Sequence, residues 1–287
     1  MRRNGFTLTE MLATIAIVAL LAAFLFPVFR QAKDQAQETH CLSNHRQIAY
    51  ATTLYLSDYD DRFMPARYAP GEAPNSGTDR TWVQLLLPYL REFRVFRCPG
   101  DHSARPKDEA SFDRDLVPGD TFSRFYTASQ RSNSAYNYLY LSPVEWLGGR
   151  WTVTPRTLGG IEDTSRMILA LDSVWDRDEA GRPKGGGNLL AVPPCRYQVL
   201  DGIRFDTFPV STSGAAVWAP SEGWDLDPKS PLRYGGAWPW HGGRLNVSQV
   251  DGSARSLALS ALSSGCRLGA GWEMSIADGS VYLWDAQ

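Results

Sequence analysis

The first hydrophobic stretch of the chain is long and uninterrupted. Residues 11–29 read MLATIAIVALLAAFLFPVF and contain no charged side chain. As a helix, this stretch would be about 28 Å long, close to the thickness of the hydrocarbon core of a bilayer. Arg2 and Arg3 precede it. The pattern therefore predicts a membrane span with a cytoplasmic N-terminus and the bulk of the chain outside.

Beyond this stretch, the pattern changes to that of an amphipathic helix. No glycine or proline occurs from Val28 to Met64. One face recurs at spacings of three and four residues: Cys41, His45, Ile48, Thr52, Tyr55 and Tyr59. We therefore predict one helix from Phe6 to about Ser57, roughly 75–80 Å long, whose second half packs on a globular domain.

The rest of the chain has the patterns of short helices, strands and turns. A helix interrupted at Pro88 is predicted over Trp82–Val95, and strands over Asn133–Leu141 and Arg166–Asp172. Two Asp-Gly pairs predict hairpins. The first joins 244–250 to 253–259 through a type I′ turn at Asp251-Gly252, and the second joins 274–277 to 280–284 through Asp278-Gly279.

Composition narrows the class of protein. The 287 residues are 43% hydrophobic and 21% charged, with a net charge of −2. Such a chain is folded and weakly acidic, and a nucleic-acid partner is not expected. Glycine and proline are frequent, and the chain has ten tryptophans. Together with the long helix, this predicts an α+β fold in which a long N-terminal helix, transmembrane and then amphipathic, packs on an antiparallel β-sheet with long loop insertions.

The residues before the hydrophobic stretch carry a motif. Gly5-Phe6-Thr7-Leu8-Thr9-Glu10 resembles the prepilin motif of type IV pilins and type II secretion pseudopilins. No small-residue cleavage site follows Phe29, which argues against an ordinary signal peptide. The resemblance implies cleavage between Gly5 and Phe6 by prepilin peptidase and methylation of Phe6. It also implies that Glu10 pairs with the N-terminus of a neighbouring subunit and that Pro27 lets the helix bend.

The outer part of the chain resembles a bacterial pseudopilin-like family with a C-terminal H-x9-D-G motif, here His241, Asp251 and Gly252. Further matching segments are 41–48, 58–60, Trp82 with 87–90, 96–99 and 136–138.

This resemblance implies a pilin-like fold divided into a leader (1–5), a transmembrane or filament-core helix (6–29), its amphipathic continuation (30–59) and an extracytoplasmic domain (60–287). It implies a single-pass inner-membrane protein whose domain is periplasmic, or extracellular in the filament. The expected function is that of a structural subunit of a pilus or pseudopilus. The expected partners are other copies of the chain, prepilin peptidase, the membrane and the inner-membrane assembly platform.

Four cysteines in an oxidising compartment predict disulfides, and four allow three pairings. We expect Cys41–Cys98 and Cys195–Cys266. Closure of the first loop would contribute about 4 kcal/mol. Zinc is the alternative, but the sequence has no C-x2-C pair of the kind that zinc sites commonly use.

Other candidate chemistry is sparse. His241 with Asp251 or Asp172 could form a metal site or an acid–base pair, but Asp251 is required by its turn and His241 is expected to be packed. No hydrolase or nucleotide-binding motif occurs, so no enzyme activity and no cofactor are expected. Calcium is a further candidate ion, at Asp176 and Asp178 or at Asp58, Asp60 and Asp61.

The tryptophans suggest a different function. Trp218, Trp224, Trp238 and Trp240 are close in sequence and could stack on sugars. The alternative to a filament subunit is therefore a membrane-anchored carbohydrate-binding or hydrolytic domain. Most aromatic side chains in a turn-rich domain pack in its interior, and we expect the same here.

Overall fold

A computed structural model describes most of the chain. The described residues are 7–68, 80–102, 129–147, 150–175, 177–178, 180–183, 185–195, 197–200, 203–206, 233–267 and 275–285. Gly5, Phe6, Asp176, Trp218 and Trp224 lie outside these residues.

One helix dominates the fold. Helix α1 extends over Leu8–Asp58, 51 residues without a break. Its second half packs on the domain through nine buried residues: Cys41, Asn44, His45, Ile48, Ala49, Ala51, Thr52, Tyr55 and Leu56. Five of the six residues on the predicted face are thus buried. Tyr59 is exposed, because α1 has ended there and the ring stacks on Tyr55 at 4.2 Å instead.

The remaining elements are short. In chain order they are β1 (Arg67–Tyr68), β2 (Arg80–Thr81), α2 (Trp82–Leu90), β3 (Ser134–Tyr136), α3 (Tyr138–Leu141), β4 (Val144–Leu147), β5 (Arg150–Val153), β6 (Ile168–Asp172), β7 (Tyr197–Leu200), β8 (Ile203–Asp206), β9 (Arg244–Gln249), β10 (Ala254–Ala258), β11 (Cys266–Arg267) and β12 (Ser275–Ile276). Short 3₁₀ turns lie at Phe93–Phe96, Leu158–Gly160, Arg233–Gly236 and Leu259–Ser263.

The central sheet has four antiparallel strands in the order β10-β9-β6-β3. Helix α1 packs against β9 and β10, and α2 packs beside it. Strand β6 lies between β9 and β3, and all five of its residues are buried. This arrangement confirms the predicted α+β class with a long N-terminal helix on an antiparallel sheet.

A second sheet has the order β11-β12-β7-β8, and two-stranded ribbons pair β1 with β2 and β4 with β5. The β12–β7 pair is parallel. A disulfide joins Cys195, just before β7, to Cys266 in β11, as predicted.

The two predicted hairpins have different outcomes. Strands β9 and β10 form the first, with Ser248 opposite Ala254. Its turn is not type I′, because Gly252 has a φ of 93° while Asp251 keeps a negative φ. The second hairpin is absent: β12 pairs with β11 and β7, and residues 280–284 form no strand.

The predicted strand over 133–141 is correct only in its first part. Strand β3 ends at Tyr136, and α3 begins at Tyr138. Asn137 lies between them, and its buried amide donates to the carbonyls of Ile168 and Trp284, both at 2.9 Å. These bonds draw the chain out of the sheet at that point.

Candidate functional site

The N-terminal half of α1 leaves its apolar side chains uncovered. From residue 7 to residue 36, only Ala22 is partly covered. The segment is long and apolar enough to cross a membrane, and its most apolar window has no buried residue. Exposed apolar surface of this extent marks a contact with membrane or with another protein.

The start of α1 is capped by its own glutamate. The carboxylate of Glu10 accepts from the backbone N–H of Thr7 at 2.8 Å and from its hydroxyl at 2.7 Å. The backbone N–H of Glu10 donates back to the Thr7 hydroxyl at 3.3 Å. This capping box satisfies donors at the helix start and holds the carboxylate at the N-terminal end of the apolar stretch.

Pro27 lies inside α1, and the helix continues through it. A proline has no N–H, so the carbonyl of Ala23, four residues earlier, lacks its usual helical donor. The helix is therefore locally weaker near the C-terminal end of its apolar stretch.

A cluster of ionisable side chains lies where α1 meets the central sheet. Cys41, Cys98, Asp172 and His241 are all buried, and one potential ligand atom from each lies within 4.8 Å of the others. The Cys41 thiol is 3.1 Å from Oδ1 of Asp172. The Cys98 sulfur is 3.4 Å from Nε2 of His241, which lies 3.7 Å from Oδ2 of Asp172. We call these four residues the buried cluster.

Helix α1 contributes two adjacent side chains at this point. Cys41 and His45 are four residues apart and therefore share one face of the helix. Nε2 of His45 lies 3.0 Å from Oδ1 of Asp172. His45 is 1% exposed, so this contact is inaccessible to solvent.

A tight turn positions Cys98. The N–H of Asp101 donates to the carbonyl of Cys98 at 3.0 Å, and the N–H of Cys98 donates to the side chain of Asn133 at 3.1 Å. A Cβ at Gly100 would lie 3.3 Å from Cε1 of His241. The glycine thus lets the turn approach the histidine closely.

Strands β6 and β9 supply the other two members. Asp172 ends β6, and its Oδ2 accepts from the N–H of Asn246 in β9 at 2.7 Å. His241 precedes β9 and forms a two-residue turn with Arg244 through Gly242 and Gly243, whose φ values are 60° and 88°. Two consecutive positive φ values are those of a type I′ turn. The sequence pattern predicts such a turn at Asp251-Gly252, but the structure forms it at Gly242-Gly243.

The cluster changes the acidity of its members. The pKa of Cys41 is raised well above its usual value by the hydrogen bond between Cys41 and Cys98, by burial and by the nearby Asp172. The same hydrogen bond lowers the pKa of Cys98 despite burial. Burial lowers the pKa of His241, but Cys98 and Asp172 outweigh this effect and raise it. Proton loss from Cys98 is therefore favoured over proton loss from Cys41.

The predicted Cys41–Cys98 disulfide is not formed. Both residues are buried free thiols. Each sulfur faces another polar group, since Cys41 contacts Asp172 and Cys98 contacts His241. Two thiols, a carboxylate and an imidazole are all ligands of transition-metal ions. The four side chains therefore form a suitable donor set for such an ion.

A cavity of about 490 Å³ adjoins the cluster. Cys98 lines it, together with His40, Arg94, Arg97, Pro99, Asp101 and Asn133. Cys98 is thus the member of the cluster that borders this cavity.

Asp251 lies apart from the cluster. Its carboxylate accepts from the N–H of Ser253 at 2.9 Å, within the turn between β9 and β10. Its own N–H donates to the carbonyl of Thr164 at 3.0 Å. Of the H-x9-D-G residues, only His241 thus belongs to the cluster, while Asp251 and Gly252 shape the turn.

Two of the calcium candidates, Asp58 and Asp178, are engaged in local bonds. The carboxylate of Asp178 accepts from the backbone N–H groups of Ala180 and Arg182 and from the Arg182 side chain, at 2.8–3.0 Å. Asp58 accepts from the hydroxyl of Tyr89 at 2.7 Å. Both carboxylates therefore already have protein donors.

Trp238 and Trp240 are partly buried and contact each other, with ring centroids 6.3 Å apart. The indole N–H of Trp240 donates to the carbonyl of Ser173 at 2.9 Å, and the guanidinium of Arg177 lies over the ring of Trp238. These contacts are those of packing residues. They do not favour the carbohydrate-binding alternative.

One comparison with known proteins gives a match. Residues 1–26 match the family described as the prokaryotic N-terminal methylation motif. No curated protein and no solved structure matches the chain. The match supports a type IV pilin-like or pseudopilin-like protein. It indicates a precursor that prepilin peptidase processes, and it covers only the beginning of α1 and the residues before it.

Proposed function

We propose that this chain is a structural subunit of a pilus-like or pseudopilus-like filament and that it assembles through the N-terminal half of α1. The observation that carries the proposal is the division of one continuous helix into an exposed apolar half and a half packed on the domain. The methylation motif at the start of the same helix supports it.

The apolar half has two successive environments in this proposal. Before assembly, the hydrocarbon of the inner membrane covers it, with the N-terminus in the cytoplasm and the domain in the periplasm. After cleavage between Gly5 and Phe6, neighbouring helices cover it in the core of the filament. Apolar side chains at nearly every position suit both environments.

Glu10 sets the axial position of the subunit. A charged group inside an apolar core costs about 2.5–3.5 kcal/mol on insertion scales unless it is paired. The capping box with Thr7 gives it hydrogen bonds but no opposite charge. The amino group of Phe6 on a neighbouring subunit would supply that charge after cleavage.

The proposal requires specific partners: prepilin peptidase, an inner-membrane assembly platform and other copies of the chain. Its direct test is cryo-electron microscopy of filaments sheared from cells that express the chain with its assembly genes. We expect α1 helices packed along the filament axis and globular domains outside. Filaments that form normally while this chain stays entirely in the membrane as a monomer would contradict the proposal.

A further inference from the structure

The buried cluster unites four segments that are far apart in the sequence. Cys41 lies in α1, Cys98 in the turn after Phe93–Phe96, Asp172 at the end of β6, and His241 just before β9. All four are at most 6% exposed. Polar side chains at such depth require partners, because burial without them is unfavourable.

We propose that Cys41, Cys98, Asp172 and His241 together bind one zinc ion, which fixes α1 to the central sheet. Zinc takes four ligands in structural sites and binds cysteine sulfur, histidine nitrogen and carboxylate oxygen. The cluster offers four such side chains. Thiolate ligands select zinc over magnesium and calcium, and the carboxylate suits zinc better than copper(I).

The distances fit this proposal. Bonds of 2.0–2.3 Å to a tetrahedral zinc ion place neighbouring donor atoms about 3.3–3.8 Å apart. In the cluster, the Cys98 sulfur and Nε2 of His241 are separated by 3.4 Å, and this nitrogen and Oδ2 of Asp172 by 3.7 Å. One donor atom from each of the four residues lies within 4.8 Å of the others, so the longest separations shorten by about 1 Å when zinc binds. The Cys41 sulfur lies 3.1 Å from the other carboxylate oxygen, Oδ1, because the thiol donates to it. Loss of that proton on metal binding removes this hydrogen bond.

The surroundings of Asp172 support the assignment independently. Metal-binding side chains are oriented by further hydrogen bonds from residues that do not bind the metal. Asp172 has two such partners, His45 at Oδ1 and the N–H of Asn246 at Oδ2. No lysine or arginine pairs with Asp172 among the ion pairs of the described residues. A divalent cation would place a positive charge beside this buried carboxylate.

The competing occupant of the site is a disulfide between Cys41 and Cys98. The two states exclude each other, because a disulfide sulfur carries no thiolate charge for zinc. They also use different residues: a disulfide needs only the cysteines, whereas zinc needs Asp172 and His241 too. The cavity beside Cys98 borders the site on one side. The proposal is independent of filament assembly, since it concerns how the domain holds α1.

The first experiment measures metal and thiols in the wild-type protein. The full chain is exported, extracted in detergent without chelator and analysed by elemental mass spectrometry. Alkylation after denaturation, under non-reducing conditions, counts the thiols. We expect one zinc per chain, free thiols at Cys41 and Cys98, and a disulfide between Cys195 and Cys266.

Two outcomes overturn the proposal. In the first, the protein contains no zinc and does not take it up from excess zinc chloride. In the second, the protein has a Cys41–Cys98 disulfide. Another metal at full occupancy overturns the assignment of zinc.

The second experiment locates the ion. Asp172→Asn and His241→Gln should each lower zinc affinity at least about tenfold. His102→Gln is the matched control, because His102 is exposed and lies outside the lining of the cavity. Equal zinc content in His241→Gln and His102→Gln would place the ion elsewhere and overturn the proposal.

A third measurement does not depend on the folding of any variant. Cobalt(II) added to reduced wild-type chain should give the visible bands of a tetrahedral site and the near-ultraviolet bands of thiolate ligation. Zinc should then displace it and remove both sets of bands. Octahedral cobalt bands without thiolate bands would overturn the proposal.

Discussion

His241 and Asp251 lie at opposite ends of strand β9, and only His241 reaches the buried cluster. The six residues of β9 extend about 17 Å, which is far beyond hydrogen-bond distance. The two residues therefore cannot act as an acid–base pair within one chain. The H-x9-D-G motif therefore spans the turn that begins at His241, strand β9 and the turn that contains Asp251 and Gly252.

Cleavage of the leader is the first prediction. Mature protein should begin at Phe6, which removes Arg2 and Arg3 and changes the formal net charge from −2 to −4 before the new terminus is counted. Gly5→Leu should block processing, because a large side chain does not fit the position that the motif reserves for glycine. Mass spectrometry of the N-terminal peptide tests both. Gly5→Ala serves as the milder control, and a wild-type protein that still begins at Met1 would contradict the prediction.

Loss of Glu10 should separate insertion from assembly. Glu10→Val makes the span more apolar, so the amount of membrane-bound protein should stay normal or rise, while filament number should fall at least about tenfold. Immunoblots of membranes and of sheared filaments measure the two quantities. Thr7→Val is a useful control, because it removes the hydroxyl partner of Glu10 and leaves the charge in place. Normal filament number and unchanged axial rise in Glu10→Val would refute a role in register.

Gly187 should not tolerate a side chain. A Cβ there would overlap the carbonyl oxygen of Ser132 and the Cα of Asn133. Because both obstacles are backbone, Gly187→Ala should destabilise the domain by about 2–3 kcal/mol. Gly159→Ala is the matched control, since its Cβ would meet no atom within 4 Å. Denaturant unfolding of the detergent-solubilised chain measures the difference, and equal midpoints for the two variants would contradict the prediction.

The disulfide between Cys195 and Cys266 should stabilise the C-terminal part of the domain. Its cysteines are 71 residues apart, and closure of a loop of that size contributes about 4 kcal/mol in the chain-entropy treatment. Replacement of both cysteines by alanine should lower the thermal midpoint by several degrees. A reductant should lower the midpoint of the wild type and leave that of the variant unchanged. If the reductant lowered the thermal midpoint of both proteins equally, the Cys195–Cys266 disulfide would not account for the difference in midpoint between them.

The sequence predicted local features well, because helix periodicity and turn residues depend on near neighbours. The face containing Cys41, His45 and Ile48 follows from their spacing alone. Tyr59 was misassigned because the pattern continues one step beyond the end of α1. The type I′ turn was assigned to Asp251-Gly252, although Gly242-Gly243 lies in the same part of the chain and adopts it.

The buried cluster could not be predicted from spacing. Its members come from four segments, and only the tertiary fold brings Cys98 beside His241 and Cys41 beside Asp172. A search for C-x2-C pairs excludes zinc sites of this kind, because it assumes that ligands are close in the sequence. One local signal is the pair Cys41 and His45, which places a member of the cluster and the histidine that contacts Asp172 one helical turn apart on the face that packs inward.

The continuity of α1 determines how the domain responds to a pulling force. The helix has no break between its apolar half and the half that packs on β9 and β10. A force along the helix axis would therefore load the buried contacts of Cys41, Ile48, Tyr55 and their neighbours together, in shear. Detachment would require sliding the whole buried face across the sheet, which is mechanically harder than separating the contacts one after another from an end.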